Sequence, residues 1–305
     1  DSKAPKMFYN IDEKLKELEE KLKINYNETQ EKAIKGALNN NITIISGGPG
    51  TGKTTIINAI VKLYIEKEKL GSADIMETIA LLAPTGRAAK KMNSSTGIPA
   101  YTIHRYLKWY KDSNEFVYNE FNKTHHKLII VDEVSMIDVD LFNALLNGIN
   151  SNIKLILVGD TFQLPSVGPG LVLNELIESD YFNYIPLNQI YRQSDNSYIP
   201  FLAKEIKNND LSEEFLTKKD DYNFVNVDSS NIKKAIMQIT NYSLSKDLDE
   251  RNVQVLAPMY KGEAGIDALN VILQNIYNPS KRNKEEVIYG DYIYREDDKV
   301  LQLVN

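Results

Sequence analysis

The chain has 305 residues, 42% hydrophobic and 26% charged, with a formal net charge of −6. That length suits about two domains, and the acidic balance excludes a uniformly basic nucleic-acid binder while leaving local patches open. There are no cysteines and three histidines, which excludes disulfides and thiolate metal sites and makes zinc a poor reading. No apolar run approaches the roughly 20 residues that span a bilayer, and no basic-then-apolar leader opens the chain. The expected location is therefore the cytoplasm, with no membrane partner.

Residues 1–26 read as a helical lead-in, with Ile11, Leu15, Leu18 and Leu22 at helical spacing and charges between them. Asn27, with Gln30 three positions on, forms a capping-box pattern that opens a helix to about Leu38. On spacing alone Gln30 has two readings, that cap or recognition of adenine, because its helix feeds directly into the next strand.

Ile42–Ile45 is a β-branched run, and Gly47-Gly48-Pro49-Gly50-Thr51-Gly52-Lys53-Thr54-Thr55 follows it into a helix reaching Leu63. Strand, glycine-rich turn and helix in this order make the phosphate-loop arrangement. Glycines let backbone N–H groups converge on phosphate oxygens, and the helix N-terminus adds partial positive charge. Lys53 then reaches the β- and γ-phosphates, and the Thr54 hydroxyl ligates magnesium.

Thr78–Ala83 is a second apolar strand ending in Pro84-Thr85-Gly86-Arg87, where another helix starts. From Gly86 to Lys111 there is no acidic residue; Arg87, Lys90, Lys91, Arg105, Lys108 and Lys111 are interleaved with Tyr101, Tyr106, Trp109 and Tyr110. Basic groups neutralise phosphates and aromatics stack on unpaired bases; the alternative is a solvated basic helix with its aromatics in the core. His104 reads either as a structural histidine or as a phosphate or backbone contact. Leu107–Tyr110, Asp112–Asn114 and Phe116–Phe121 read as strand, turn and strand, a small hairpin insertion near 106–122.

Leu128–Val131 is a third apolar strand and runs into Asp132-Glu133. Beside a complete phosphate loop, this pair supplies a magnesium-holding acid, Asp132, and a water-activating base, Glu133. A helix over Asp138–Ile149 comes next. Lys154–Val158 is a fourth strand, ending in Gly159-Asp160-Thr161-Phe162-Gln163-Leu164-Pro165, where Gln163 can sense the γ-phosphate. Four strands alternating with helices predict a doubly wound parallel α/β sheet, a P-loop NTPase, over residues 27–189. In residues 190–305, Arg192 is either a surface charge or a transition-state arginine. Ser229–Thr240 and Ile266–Ile276 read as helices, Val253–Leu256 as a strand, and 288–303 as strand-like with a turn at Asp297-Asp298.

Taken together, Gly47–Thr54, Ala83–Ala89, Thr102–Arg105, Val131–Met136, Gly159–Gly168, Tyr191–Gln193, Pro258–Gly262 and Asp298–Val300 resemble, block by block, the RecD-type DNA helicases of superfamily 1B, including the RecD/TraA group. The resemblance runs from about residue 24 to 305. It implies a RecA-like first motor domain followed by part of a second, using ATP and Mg2+ to translocate 5′ to 3′ on single-stranded DNA and open single-strand/duplex junctions in repair and recombination. It implies adenine reading by Gln30, ATP contacts from Gly48 to Thr55, and magnesium at Thr54 and Asp132. It further implies catalytic roles for Lys53, Glu133, Gln163 and Arg192, and DNA contacts from Pro84, Thr85, Arg87, Thr102, His104, Arg105 and Lys261. The hairpin falls where the family places its pin subdomain. The family's later glutamine–glycine-rich block and second ATP-facing arginine have no counterpart here, so the segment reads as a fragment of a longer protein. This leaves two alternatives: a nucleotide-gated single-stranded-DNA-binding module without complete motor activity, or the helicase part of a conjugative relaxase. A recombination complex would supply protein partners.

Overall fold

The computed structural model describes residues 10–110, 112–113, 115–188 and 197–300. They divide into two units, Asp1–Asn196 and Ser197–Asn305. Unit 1 contains, in chain order, α1 (Ile11–Leu22), α2 (Glu28–Asn39), β1 (Ile42–Gly47), α3 (Lys53–Glu68), α4 (Ser72–Thr78), β2 (Ile79–Ala83), α5 (Gly86–Thr96), β3 (Ala100–Thr102) and α6 (Ile103–Tyr106). It continues with β4 (Trp109–Tyr110), β5 (Glu115–Phe116), β6 (Leu128–Val131), α7 (Val139–Gly148), β7 (Lys154–Gly159), α8 (Val172–Glu178) and β8 (Asn183–Leu187).

Six strands form one sheet in the order β3-β2-β6-β7-β1-β8, every neighbouring pair parallel. The four strands expected from apolar runs are its middle. Parallel strands covered on both faces carry apolar residues at consecutive positions, and β2, β6 and β7 are buried along their whole length. Successive side chains point to opposite faces, so the runs feed two cores. Ile45, Leu81, Ile130 and Ile156 meet Leu15, Ile34, Leu38, Ile57 and Ile60 of α1, α2 and α3 on one side. Ile44, Leu82, Ile129 and Leu157 meet Ile103, Ile137, Leu145 and Leu173 on the other. Truncating one such buried side chain to Ala costs about 2–5 kcal/mol.

The two edge strands carry weaker signals. β3 is three half-buried residues. β8 contains Pro186, which cannot donate to a ladder and is tolerated at an edge. The hairpin is shorter than expected: β4 pairs antiparallel with β5, Trp109 opposite Phe116. Beyond Tyr118 the chain turns back at once, because the Asn119 carboxamide accepts from Phe121 N–H at 3.0 Å and Asn119 bridges Asn122.

Unit 2 contains α9 (Ile199–Asn208), α10 (Ile232–Leu244), α11 (Ile266–Tyr277) and an antiparallel pair, β9 (Glu286–Tyr289) and β10 (Tyr292–Arg295). Val253–Leu256 is not a strand here, since no neighbour among the described residues pairs with its backbone. The two strands turn at Gly290, whose φ of +61° suits glycine, and a further turn falls at Glu296-Asp297, beside the expected position, closed by Asp298 N–H donating to the Arg295 carbonyl at 3.0 Å. The Asp298 carboxylate also accepts from Gln274 Nε2 at 2.6 Å and Asn278 Nδ2 at 2.8 Å, fastening the chain after the hairpin to α11.

Lys154, at the start of β7, is 9% exposed and donates to the Asn40 carbonyl. Burial pushes its pKa down to about 8. Between about pH 8 and the ordinary lysine value near 10.5 the unfolded chain therefore holds the extra proton, and stability contributed here rises with pH. Lys154→Met is expected to melt higher than the parent chain at pH 7, with the difference shrinking as pH climbs through that window. Thermal melts at several pH values check this; a pH-independent difference would contradict it.

Candidate nucleotide-binding site

All six parallel strands point their carboxyl ends to one edge, and the polar loops leave there. Reading across the sheet, β3 ends at Thr102, β2 leads to Pro84–Arg87, β6 to Asp132-Glu133, β7 to Asp160 and β1 to the phosphate loop. Ligands of doubly wound sheets bind at this edge.

The phosphate loop is held from within. Gly50 and Gly52 have φ of +81° and +87°, a region glycine enters without a Cβ penalty. Thr51 is 3% exposed and its hydroxyl donates to the Gly48 carbonyl at 2.9 Å. The Lys53 ammonium donates to the carbonyls of Gly47 and Gly48, the latter at 3.1 Å. Burial lowers the Lys53 pKa, against the attraction of Asp160, Glu133 and Asp132. Lys53 thus caps loop carbonyls where a phosphate oxygen would be the better partner.

Asp132 is 7% exposed, and its carboxylate accepts from the N–H of Glu133 at 2.9 Å. Burial, then the neighbouring Glu133, holds the Asp132 carboxyl above the usual range. Glu133 sits at φ +55°, unusual for a side chain of its size, and its Oε2 is buried with no hydrogen-bond partner among the described residues. A strained residue with an unmet acceptor beside a phosphate loop is a candidate base. No group of three or more His, Cys, Asp or Glu encloses a metal among the described residues. Thr54 and Asp132 fit magnesium, which keeps waters and phosphate oxygens rather than a full protein cage.

Asp160 is a site residue that sequence pattern did not single out. It is 4% exposed and is the leading attraction on the Lys53 ammonium. One carboxylate oxygen accepts from Phe162 N–H at 3.1 Å; the other lies 4.0 Å from where a Cβ on Gly48 would be. Its signal was an acid directly after a buried strand, masked by the more familiar Gln163 three positions on. Gln163 itself is exposed, on the loop that Asp160 begins.

Gln30 makes the expected cap and a further bond. Its N–H donates to Asn27 Oδ1 at 2.7 Å and its Oε1 accepts from Asn27 N–H at 3.1 Å. Its Nε2 donates to the Thr51 carbonyl at 3.0 Å, across to the phosphate loop.

The residues expected at DNA divide. Thr85 and Thr102 are N-caps, accepting from Ala88 N–H at 3.3 Å and Arg105 N–H at 3.2 Å. They place Arg87 and Arg105, both exposed, at the same sheet edge; Pro84 precedes the first cap. Arg105 also lies over the Tyr101 ring, 5.3 Å from its centroid. His104 is exposed and also packs against the hairpin, its ring 6.0 Å from Trp109 and 5.9 Å from Phe116; desolvation lowers its pKa, against the pull of Asp138. Lys261 is exposed in unit 2, in the turn before α11. Arg192 lies outside the described residues.

Phosphate loop, acid pair and parallel sheet define unit 1 as a P-loop NTPase domain of RecA-like kind. The family model for the AAA domain matches residues 30–169. The chain is 34% identical over 241 residues to the ATP-dependent RecD2 DNA helicase of Deinococcus radiodurans, covering 79% of this chain and 31% of that protein. It is 37% identical over 168 residues to the RecBCD enzyme subunit RecD of Mycolicibacterium smegmatis, covering 50% of this chain and 30% of that one. Among solved structures, Pif1 helicase from Candida albicans aligns with a TM-score of 0.49 at 21% identity, covering 63% of this chain and 46% of that one. Over these stretches the chain is similar to RecD-type helicases. It spans about a third of the length of these curated relatives.

Lys53→Ala is expected to weaken nucleotide binding by roughly 100-fold, the scale of losing charge-assisted bonds to phosphate. Titration with a fluorescent ATP analogue checks this, and unchanged affinity would remove Lys53 from the site.

Proposed function

We propose that this chain is the ATP-hydrolysing part of a DNA helicase motor that moves 5′ to 3′ along single-stranded DNA and opens duplex at junctions. One observation carries the reading. A single sheet edge runs from the exposed basic residues Arg105 and Arg87, past Asp132 and Glu133, to Asp160 and the phosphate loop. A site that binds nucleotide at one end of a strand edge and nucleic acid at the other can couple the two.

In this reading Gly48–Thr55 cradle the phosphates of ATP, and Lys53 leaves the loop carbonyls for the β- and γ-oxygens. Thr54 and Asp132 would hold Mg2+, which neutralises phosphate charge. Glu133 takes a proton from the water that attacks the γ-phosphorus, and ADP leaves with phosphate. Gln163 reports the γ-phosphate to the DNA side, and Arg192 supplies positive charge to the transition state. Arg87, Arg105 and the flanking Lys90 and Lys91 hold DNA phosphates, with Pro84, Thr85, Thr102 and His104 shaping that surface; Lys261, in unit 2, is a separate DNA contact. Residues 190–305 are the opening part of the second motor domain, and the hairpin near 106–122 meets the duplex. Kinship with a RecBCD subunit supports work in recombination and repair, in the cytoplasm, beside protein partners.

A second reading is a nucleotide-gated single-stranded-DNA-binding module without complete motor activity, which the same sheet edge would serve without turnover. Hydrolysis separates them. The motor reading expects ATP turnover by the longest natural chain containing this segment to rise at least tenfold with single-stranded DNA. Glu133→Gln should retain ATP binding and lose turnover by about 100-fold or more. Tight ATP-dependent DNA binding without turnover would establish the module instead, and normal turnover in Glu133→Gln would sink its assignment as base.

Reversing the charges of Lys90, Lys91 and Arg105 together tests the DNA surface. Affinity for single-stranded DNA should fall, and the plot of log affinity against log salt should flatten by about 0.7 for each phosphate that is no longer neutralised. An unchanged slope would return this stretch to a solvated face.

A further inference from the structure

We infer that Ser135 is a positioning residue for Glu133: its hydroxyl supplies the hydrogen bond that aims the Glu133 carboxylate at the attacking water once nucleotide fills the site. The inference rests on the reading of Glu133 as the base. Glu133 Oε2 and Ser135 Oγ are both shut off from solvent, and neither has a hydrogen-bond partner among the described residues. Buried polar atoms are nearly always paired, so each exception needs a reason. These two are complementary. An ionised carboxylate only accepts, and a hydroxyl can donate. They stand two residues apart, at the strand end beside the phosphate loop. Other donors nearby are engaged: Glu133 N–H donates to the Asp132 carboxylate, and the Lys53 ammonium to the loop carbonyls.

The backbone that carries both residues is fixed. Glu133, at φ +55°, opens one turn of 3-10 helix over Val134–Met136. Its carbonyl accepts from Met136 N–H at 3.0 Å, and the Val134 carbonyl accepts from Ile137 N–H at 3.0 Å. Val134 and Ile137 are sunk in the core. The end of β7 closes the other side. A Cβ on Gly159 would lie 3.3 Å from Ser135 N, 3.4 Å from Val134 N and 2.7 Å from Leu173 Cδ2, so the turn fits where glycine leaves room. The turn is thus clamped between core and strand, and side-chain rotation is the motion left to bring Ser135 Oγ to the Glu133 carboxylate.

The test uses the longest natural chain containing this segment. Without nucleotide, Ser135→Ala should melt no lower than the parent, because a buried hydroxyl that bonds nothing has no stabilising contact to lose. With MgATP and single-stranded DNA, kcat should fall about tenfold, the scale of one hydrogen bond to a charged group. KM and the affinity for a non-hydrolysable ATP analogue should stay within about twofold of the parent. In the Glu133→Gln chain, adding Ser135→Ala should lower the remaining turnover by less than about twofold, since it acts through that carboxylate. A lower melt without nucleotide would make Ser135 a structural hydroxyl. Unchanged kcat, or a tenfold loss in both backgrounds, would show that it does not act through Glu133. Any of these overturns the inference and leaves Glu133 as the base. Normal turnover in Glu133→Gln alone overturns the base reading, and the inference with it.

Discussion

A sheet covered on both faces has nowhere to place polar side chains except at its strand ends. That constraint organises unit 1. β2, β6 and β7 are buried from end to end, and any unpaired polar group along them would cost several kcal/mol. The strands are parallel, so their carboxyl ends emerge together. Lys53, Asp132, Glu133 and Asp160 are neighbours because their strands are, although they are far apart in sequence. The two cores do not form the site; they hold its pieces in register.

Charge at that edge is arranged as a contest that a bound phosphate resolves. Lys53 is drawn by three carboxylates yet lowered by burial, and it rests on backbone carbonyls. Asp132 is raised by burial and by Glu133. Glu133 is held in a left-handed conformation with an acceptor unmet. Each group is imperfectly satisfied, which a core residue would not tolerate and which suits a site for a polar ligand.

Much of this was legible in the sequence because the same constraint writes itself there. Runs such as Leu128–Val131 can only be central strands, and the polar residues just past each run build the site. The phosphate loop and the acid pair were readable for that reason. Edge strands were not, because half-buried residues in β3 and Pro186 in β8 give no run. Asp160 was hidden because its role depends on β7 lying beside β1, which no local spacing reveals. Gln30 showed its cap but not its second bond, since Thr51 is brought to it only by α2 packing beside the loop. In unit 2, Val253–Leu256 has the composition of a strand, but a strand exists only where another pairs with it.

If one sheet edge joins a nucleotide site to a DNA site, binding at the two must be linked, and the coupling must be reciprocal. Affinity for a short single-stranded DNA should be measured with and without a non-hydrolysable ATP analogue and Mg2+, in the parent chain and in Lys53→Ala. At least a fivefold change in DNA affinity with the analogue is expected in the parent chain, and none in Lys53→Ala. DNA affinity indifferent to a nucleotide that demonstrably binds the parent chain would contradict the joined edge.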